Sequence, residues 1–155
     1  MISAKPRKNR FVIVSCGGSI GKENLETIEK ILKQNKGEEG FILKVLKGKM
    51  NIHLLQAYLG TKQREDIIRT IENFQKEKFD RDSPLIKILR RLDITSNSKV
   101  ILKDKAKYTI MDSFIRLNPD LLIFHFSKEC FMKDELGDVI CQIKKEIGNV
   151  NVHVL

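Results

Sequence analysis

Short apolar runs of strand length alternate along this chain with longer stretches in which apolar residues recur every three or four positions. Phe11-Val12-Ile13-Val14-Ser15 is the first such run, β-branched and closed by Cys16-Gly17-Gly18, and it predicts a buried strand. Leu25, Ile28, Ile31 and Leu32 then repeat at helical spacing, with Ser19 or Asn24 available as a cap and Gly37 where a helix commonly stops. Phe41 to Leu46 predicts a second strand ended by Gly48. From Ile52 to Phe79 the pattern is helical, broken near Gly60-Thr61, with a second run carried by Ile67, Ile68, Ile71 and Phe74.

Asp80 to Pro84 reads as a loop, in which Ser83 and Pro84 cap and start a helix through Leu85, Ile88, Leu89 and Leu92. Ser96-Asn97-Ser98 reads as a turn and Val100 to Leu102 as a short strand. Thr109 is placed to cap a helix whose inner face holds Ile110, Phe114 and Leu117, and Pro119 ends it. Leu121 to Phe126 is the strongest strand run. Leu136, Val139, Ile140 and Ile143 mark a last helix closed by Gly148-Asn149, and Val150 to Leu155 a final strand.

Strands separated by helices, with strand cores apolar almost throughout, specify an α/β fold. It is expected to be three-layered and Rossmann-like (flavodoxin-like), a mostly parallel sheet of about five strands with helices on both faces. The expected organisation is a basic tail over 1–10 and a single α/β domain over 11–155, carrying a helical insertion at about 52–92.

Composition narrows the class. The chain of 155 residues is long enough for a core without metal or disulfide support. Its 41% hydrophobic and 32% charged shares are those of a soluble globular protein, and no apolar run approaches the roughly 18 residues of a membrane span. Cys16, Cys130 and Cys141 make an odd count with no close pair, which argues against a disulfide framework and a zinc site, and no metal site is expected. With no apolar segment after the basic start, no secretion signal is visible, and a cytoplasmic location is expected. The formal charge of +9 is spread over nearly every segment. It suits solvated faces and would draw anionic small ligands, while nucleic acid stays open as a partner on charge alone.

In open parallel sheets, ligands lie beyond the carboxyl ends of the strands, where loops converge and helix N-termini present backbone donors. Two loops qualify here: Cys16 to Gly21 and Ser127 to Asp134. Gly17, Gly18 and Gly21 would let the backbone approach a phosphate or ribose, Ser19 adds a hydroxyl, and Ser127 faces them from the second loop. The glycine spacing is that of neither a dinucleotide fingerprint nor a P-loop. Glu135, at a helix start on the same edge, can act as a nucleophile or hold a sugar hydroxyl, or simply favour the helix dipole. His125 reads as a buried, satisfied histidine near a strand end, and Cys16 and Cys130 are positioned to face each other across the edge.

Asp120-Leu121-Leu122-Ile123 through Ser127, then Glu135-Leu136-Gly137 and Val152-His153-Val154, resembles the closing section of nucleoside 2-deoxyribosyltransferase-like and TIR-like proteins. The opening Val12 to Gly21 is also similar to the Gly-rich beginning of cytokinin-activating phosphoribohydrolases. The resemblance implies that Glu135 works on an N-glycosidic bond while Gly17, Gly18 and Ser19 line a sugar-phosphate pocket. The expected function is therefore binding of a nucleotide or nucleoside-type ligand, with Glu135 as the candidate for a hydrolase or transferase step. No cofactor is specified and oligomerisation is left open. Two alternatives stand beside it: a noncatalytic receiver-like signalling or protein-interaction domain, and a basic nucleic-acid-binding domain. A phosphorylatable receiver is disfavoured, because Ser15 and Cys16 stand where its carboxylates would be needed.

Overall fold

The computed structural model describes residues 9–46, 64–128, 130–146 and 150–155. Five strands, β1 (Arg10–Cys16), β2 (Glu39–Leu46), β3 (Thr95–Leu102), β4 (Leu121–Phe126) and β5 (Asn151–Val154), form one parallel sheet in the order β3-β2-β1-β4-β5. Among the described residues five helices connect or flank them: α1 (Lys22–Gln34), α2 (Arg64–Asp82), α3 (Pro84–Arg91), α4 (Lys103–Leu117) and α5 (Lys133–Glu146). This is the expected α/β, Rossmann-like architecture, and its strand order changes direction between β1 and β4.

Strand pleating divides the core in two. Val12, Val14, Leu43, Val45, Leu122 and Phe124 point to the face covered by Ala106, Ile110 and Phe114 of α4 and by Leu136, Val139, Ile140 and Ile143 of α5. Phe11, Ile13, Ile42, Leu121 and Ile123 point to the other face, covered by Ile28, Ile31 and Leu32 of α1 and Leu85, Ile86 and Leu89 of α3. Burial on both faces is why the strands read as nearly continuous apolar runs. One close approach is encoded by glycine. A Cβ on Gly40 of β2 would lie 2.1 Å from the Phe11 ring, so the fully buried ring packs against that strand only because no side chain is there.

Several local expectations are corrected. Ser96-Asn97-Ser98 is not a turn but the first half of β3, paired with Gly40, Phe41 and Ile42 of β2. Its polar residues are tolerated because β3 is an edge strand and its Ser98 hydroxyl hydrogen-bonds Asp80 of α2. Thr109 lies inside α4, which begins at Lys103; the stripe of Ala106, Ile110 and Phe114 runs one turn further back than the larger apolar residues suggest. Helix α1 is capped by Gly21, not by Ser19 or Asn24. Helix α2 runs through Asp82, so only Ser83 separates it from α3, where Ser83 and Pro84 cap and start the helix as expected. The segment from Ile52 to the break at Gly60-Thr61, and the Gly148-Asn149 helix end, lie outside the described residues. No helix among those described is long and apolar enough to cross a membrane.

Candidate functional site

The loop after β1 is built around Gly17, whose φ of +99° lies where a side chain is strained. The next amide, Gly18 N–H, donates to Ser127 Oγ at 2.8 Å, Ser127 N–H donates to the Cys16 carbonyl at 3.1 Å, and Cys130 N–H donates to the Ser127 carbonyl at 3.0 Å. The loops after β1 and β4 share one edge of the sheet, as expected, and these hydrogen bonds also bring them into contact at the point where the strand order reverses. Open space lies on the β2 side of the loop, beneath α2.

That space is a cleft of about 310 Å³. Gly17, Gly18 and Ser19 form one wall, Lys44, Leu46 and Val100 the sheet floor, and Gln75, Lys78, Phe79, Asp82 and Ser83 the opposite wall. A volume near 300 Å³ is at the small end for ligand pockets and suits one compact ligand.

The back of the cleft holds a polar row set by strand register. Ser15 of β1 pairs with Lys44 of β2 on one side and His125 of β4 on the other, so all three side chains share the face covered by α1 and α3. Ser15 Oγ lies 3.1 Å from His125 Nδ1. Lys44 Nζ donates to the carbonyls of Gly17 and Gly18, each at 3.0 Å, and approaches Ser15 Oγ at 3.5 Å. The Ser15–His125 contact is made either by the Ser15 hydroxyl donating to Nδ1 or by Nδ1–H donating to Ser15 Oγ, since a hydroxyl oxygen that accepts from Lys44 has a second lone pair.

Burial disfavours charge along this row. His125 is 2% exposed, and desolvation followed by the Lys44 charge lowers its pKa below the ordinary histidine value. Desolvation also lowers that of Lys44, against a smaller opposing effect of Cys16. Among the described residues no carboxylate pairs with Lys44.

On the opposite face of β1 the Cys16 thiol is fully buried and hydrogen-bonds Cys130; burial first, and that contact second, push it up to about 12. The two cysteines thus face each other as expected, as thiols. With an Ellman-type reagent at pH 8, exposed Cys141 should react fastest, half-buried Cys130 more slowly, and Cys16 only on unfolding, because the thiolate is the reactive form. Reaction of Cys16 at the rate of Cys141 would show that the end of β1 is open.

Of the residues singled out by sequence, Gly17, Gly18 and Ser19 line the cleft, and Ser127 stands behind them as the acceptor that holds Gly18. Gly21 is exposed at the start of α1 and Glu135 is exposed in the first turn of α5; neither is among the lining residues. Sequence reasoning missed Lys44, Lys78 and Phe79. The available signal was Lys44 itself, a lone charge inside the otherwise apolar strand Phe41-Ile42-Leu43-Lys44-Val45-Leu46. Among the described residues no cluster of His, Cys, Asp and Glu could hold a metal ion.

No protein-family model and no curated protein matches the chain. Its structure is similar to that of a universal stress protein from Archaeoglobus fulgidus, at TM-score 0.51 and 14% identity over 95% of this chain and 93% of that one. It is likewise similar to a hypothetical protein from Sulfolobus tokodaii, at TM-score 0.50 and 14% identity over 96% of each. These likenesses correct the resemblance to nucleoside 2-deoxyribosyltransferase-like and TIR-like proteins. The strand, loop and Glu-Leu helix start that carried it are short and fit a parallel sheet of this other arrangement equally, and so do not single out those families. At 14% identity the likeness is one of architecture: the chain has a Rossmann-like α/β fold of the kind seen in universal stress proteins.

Proposed function

We propose that the chain binds a mononucleotide-type ligand in the cleft between the Gly17-Gly18-Ser19 loop and α2. The observation that carries this reading is the pairing, in one cleft of about 310 Å³, of an apolar patch with a cationic one. Leu46, Val100 and the edge of Phe79 offer a surface for a flat base, and Gln75 an amide for its polar edge. Lys44, Lys78 and the hydroxyl of Ser19 supply charge and donors for a phosphate, while Asp82 can accept from a ribose hydroxyl. The volume favours one nucleotide over a dinucleotide.

The proposal is binding and does not include bond cleavage. The glycosidic role of Glu135 was implied by a resemblance that no longer stands, and the exposed Glu135 side chain is not among the cleft residues.

Thermal shift against AMP, ADP, ATP, NAD, nucleosides and cyclic nucleotides tests the reading, with chromatography of the mixtures for released base. A mononucleotide at a hundred times its Kd should stabilise by about 2.7 kcal/mol, roughly 5–10 °C for a chain of this size. Lys78→Ala should weaken that shift while leaving the unliganded melting temperature close to wild type, because Lys78 is exposed, whereas Phe79→Ala should weaken it and also lower the unliganded melting temperature, because Phe79 packs against the core. No shift with any nucleotide at millimolar concentration would sink the proposal. Released base that disappears in Glu135→Ala would replace binding with cleavage. Binding only to oligonucleotides, collapsing steeply with added salt, would instead support the nucleic-acid alternative.

A further inference from the structure

We propose that Lys44 is a reactive amine, and that the cleft uses it to hold a small anionic aldehyde or ketone as an imine. The inference uses the same cleft as the proposed function but does not depend on the nucleotide reading.

Four observations converge on Lys44. Lys44 lines an open cleft, whereas Ser15 and His125 behind it are 0% and 2% exposed. Among the described residues it has no carboxylate partner, although Asp82 lines the opposite wall. Its two short contacts go to the carbonyls of Gly17 and Gly18 and a longer third to Ser15 Oγ, which together occupy the three N–H groups of an ammonium; loss of one proton would let a neutral amine keep the two short ones. Its third neighbour, Ser15 Oγ at 3.5 Å, leads to His125 Nδ1 a further 3.1 Å on. Its surroundings are backbone carbonyls and a hydroxyl, with no carboxylate among the described residues. Burial lowers its pKa in the same direction, as in lysines that form Schiff bases.

The chemistry balances within these groups. With His125 in the tautomer protonated at Nε2, the Lys44 ammonium gives a proton to Ser15 Oγ as the Ser15 hydroxyl proton passes to His125 Nδ1, leaving a neutral amine and an imidazolium. The amine lone pair forms the C–N bond to the carbonyl carbon, and the carbonyl oxygen takes up the amine's two protons and leaves as water, giving a neutral imine. Return of the proton along the row gives the iminium, whose single N–H can keep one of the two carbonyl contacts. Lys78, across the cleft, is the second cation for the anionic end of the ligand. The groups facing Lys44 are Ser15 and the Gly17 and Gly18 carbonyls from β1 and its loop, with His125 of β4 one step behind; Cys16 acts on it from the opposite face of β1, and Lys78 and Asp82 of α2 share the cleft.

Pyridoxal 5′-phosphate, which joins an aldehyde to a phosphate, is the probe. The folded chain is incubated with it at neutral pH, reduced with borohydride at intervals, and mapped by peptide mass. Lys44 should be modified roughly tenfold faster than exposed Lys30, Lys33, Lys87, Lys107 and Lys144, with a rate that saturates in probe. The pH midpoint of its labelling should fall below theirs, and Ser15→Ala should move that midpoint, an effect a purely structural Ser15 would not produce. Lys44→Arg should abolish the fast phase and leave the slow ones. Labelling of Lys44 no faster than the exposed lysines in the wild type overturns the proposal, whether or not Lys44→Arg folds. Mononucleotide binding with no fast lysine removes this inference alone; a fast Lys44 with no nucleotide bound removes the nucleotide reading alone.

Discussion

Replacing Gly17 by alanine should destabilise the protein by roughly 2–5 kcal/mol and abolish binding in the cleft. Two costs combine. The backbone at Gly17 sits at φ +99°, beyond the left-handed region that other residues visit. A Cβ there would also lie 1.9 Å from Ser127 Oγ and 3.0 Å from the Cys130 nitrogen. Ser127 would have to turn away, which breaks its hydrogen bond from Gly18 and frees the wall of the cleft. Urea unfolding of Gly17→Ala, Ser127→Gly and the double variant separates the two costs. Ser127→Gly should cost about 1 kcal/mol for the lost hydrogen bond, more if the Gly18 amide finds no water. The double variant should recover the clash but not the backbone strain, so its loss should be smaller than the sum of the two singles. A Gly17→Ala midpoint within error of wild type would mean that this loop is not held as described.

That loop was legible in the sequence; the cleft it borders was not. Gly17 and Gly18 stand directly after an apolar run, and a strand leaving a buried sheet toward a helix needs a sharp turn there. Likewise β1 and β4 are buried on both faces, so Val12-Ile13-Val14 and Leu121-Leu122-Ile123 announce themselves without any partner. The first half of β3 does not, because Thr95 to Ser98 is polar and draws its pairing from β2 and its side-chain partner from α2. The row behind the cleft is harder still. Ser15 lies 29 residues from Lys44 and 110 from His125, and only the pairing register makes them neighbours. Each alone has a plain local reading: a strand-end serine, a strand lysine, a buried histidine. Phe79 and Lys78 pose the same problem on α2, where helical periodicity assigns them to faces but not to a wall that meets the Gly17 loop. Composition pulled the other way as well. The +9 charge invites nucleic acid, whereas the proposed site turns on the burial of one lysine rather than on the number of them.

Acidification should weaken the fold between about pH 6.5 and 5, at up to about 1.4 kcal/mol per pH unit, and His125 should carry that slope. Its pKa is lowered in the folded protein, by burial first and by the Lys44 charge second. The unfolded chain therefore binds a proton near the ordinary histidine value while the folded chain does not. Above that value both forms are neutral and the group contributes no dependence. As pH falls through it, the unfolded state gains protons first and stability is lost, until the folded state too is protonated. Ending the measurement near pH 5 keeps the carboxylates, with ordinary values around 4, largely out of the slope. Urea midpoints of wild type and His125→Gln across this range make the comparison: Gln cannot titrate but keeps an acceptor for the Ser15 hydroxyl, so its curve should be flatter even if it starts lower. Ser15→Ala tests the other half of the contact. It leaves His125 Nδ1 buried beside a methyl group and should cost about 1–3 kcal/mol at pH 7, where the neutral ring depends on that hydrogen bond. A wild-type slope that persists unchanged in His125→Gln would move the acid sensitivity to another group. If Ser15→Ala were neutral at pH 7, the row would be a neighbourhood of side chains without a shared hydrogen-bond chain, and the proton route from Lys44 to His125 would lose its middle step.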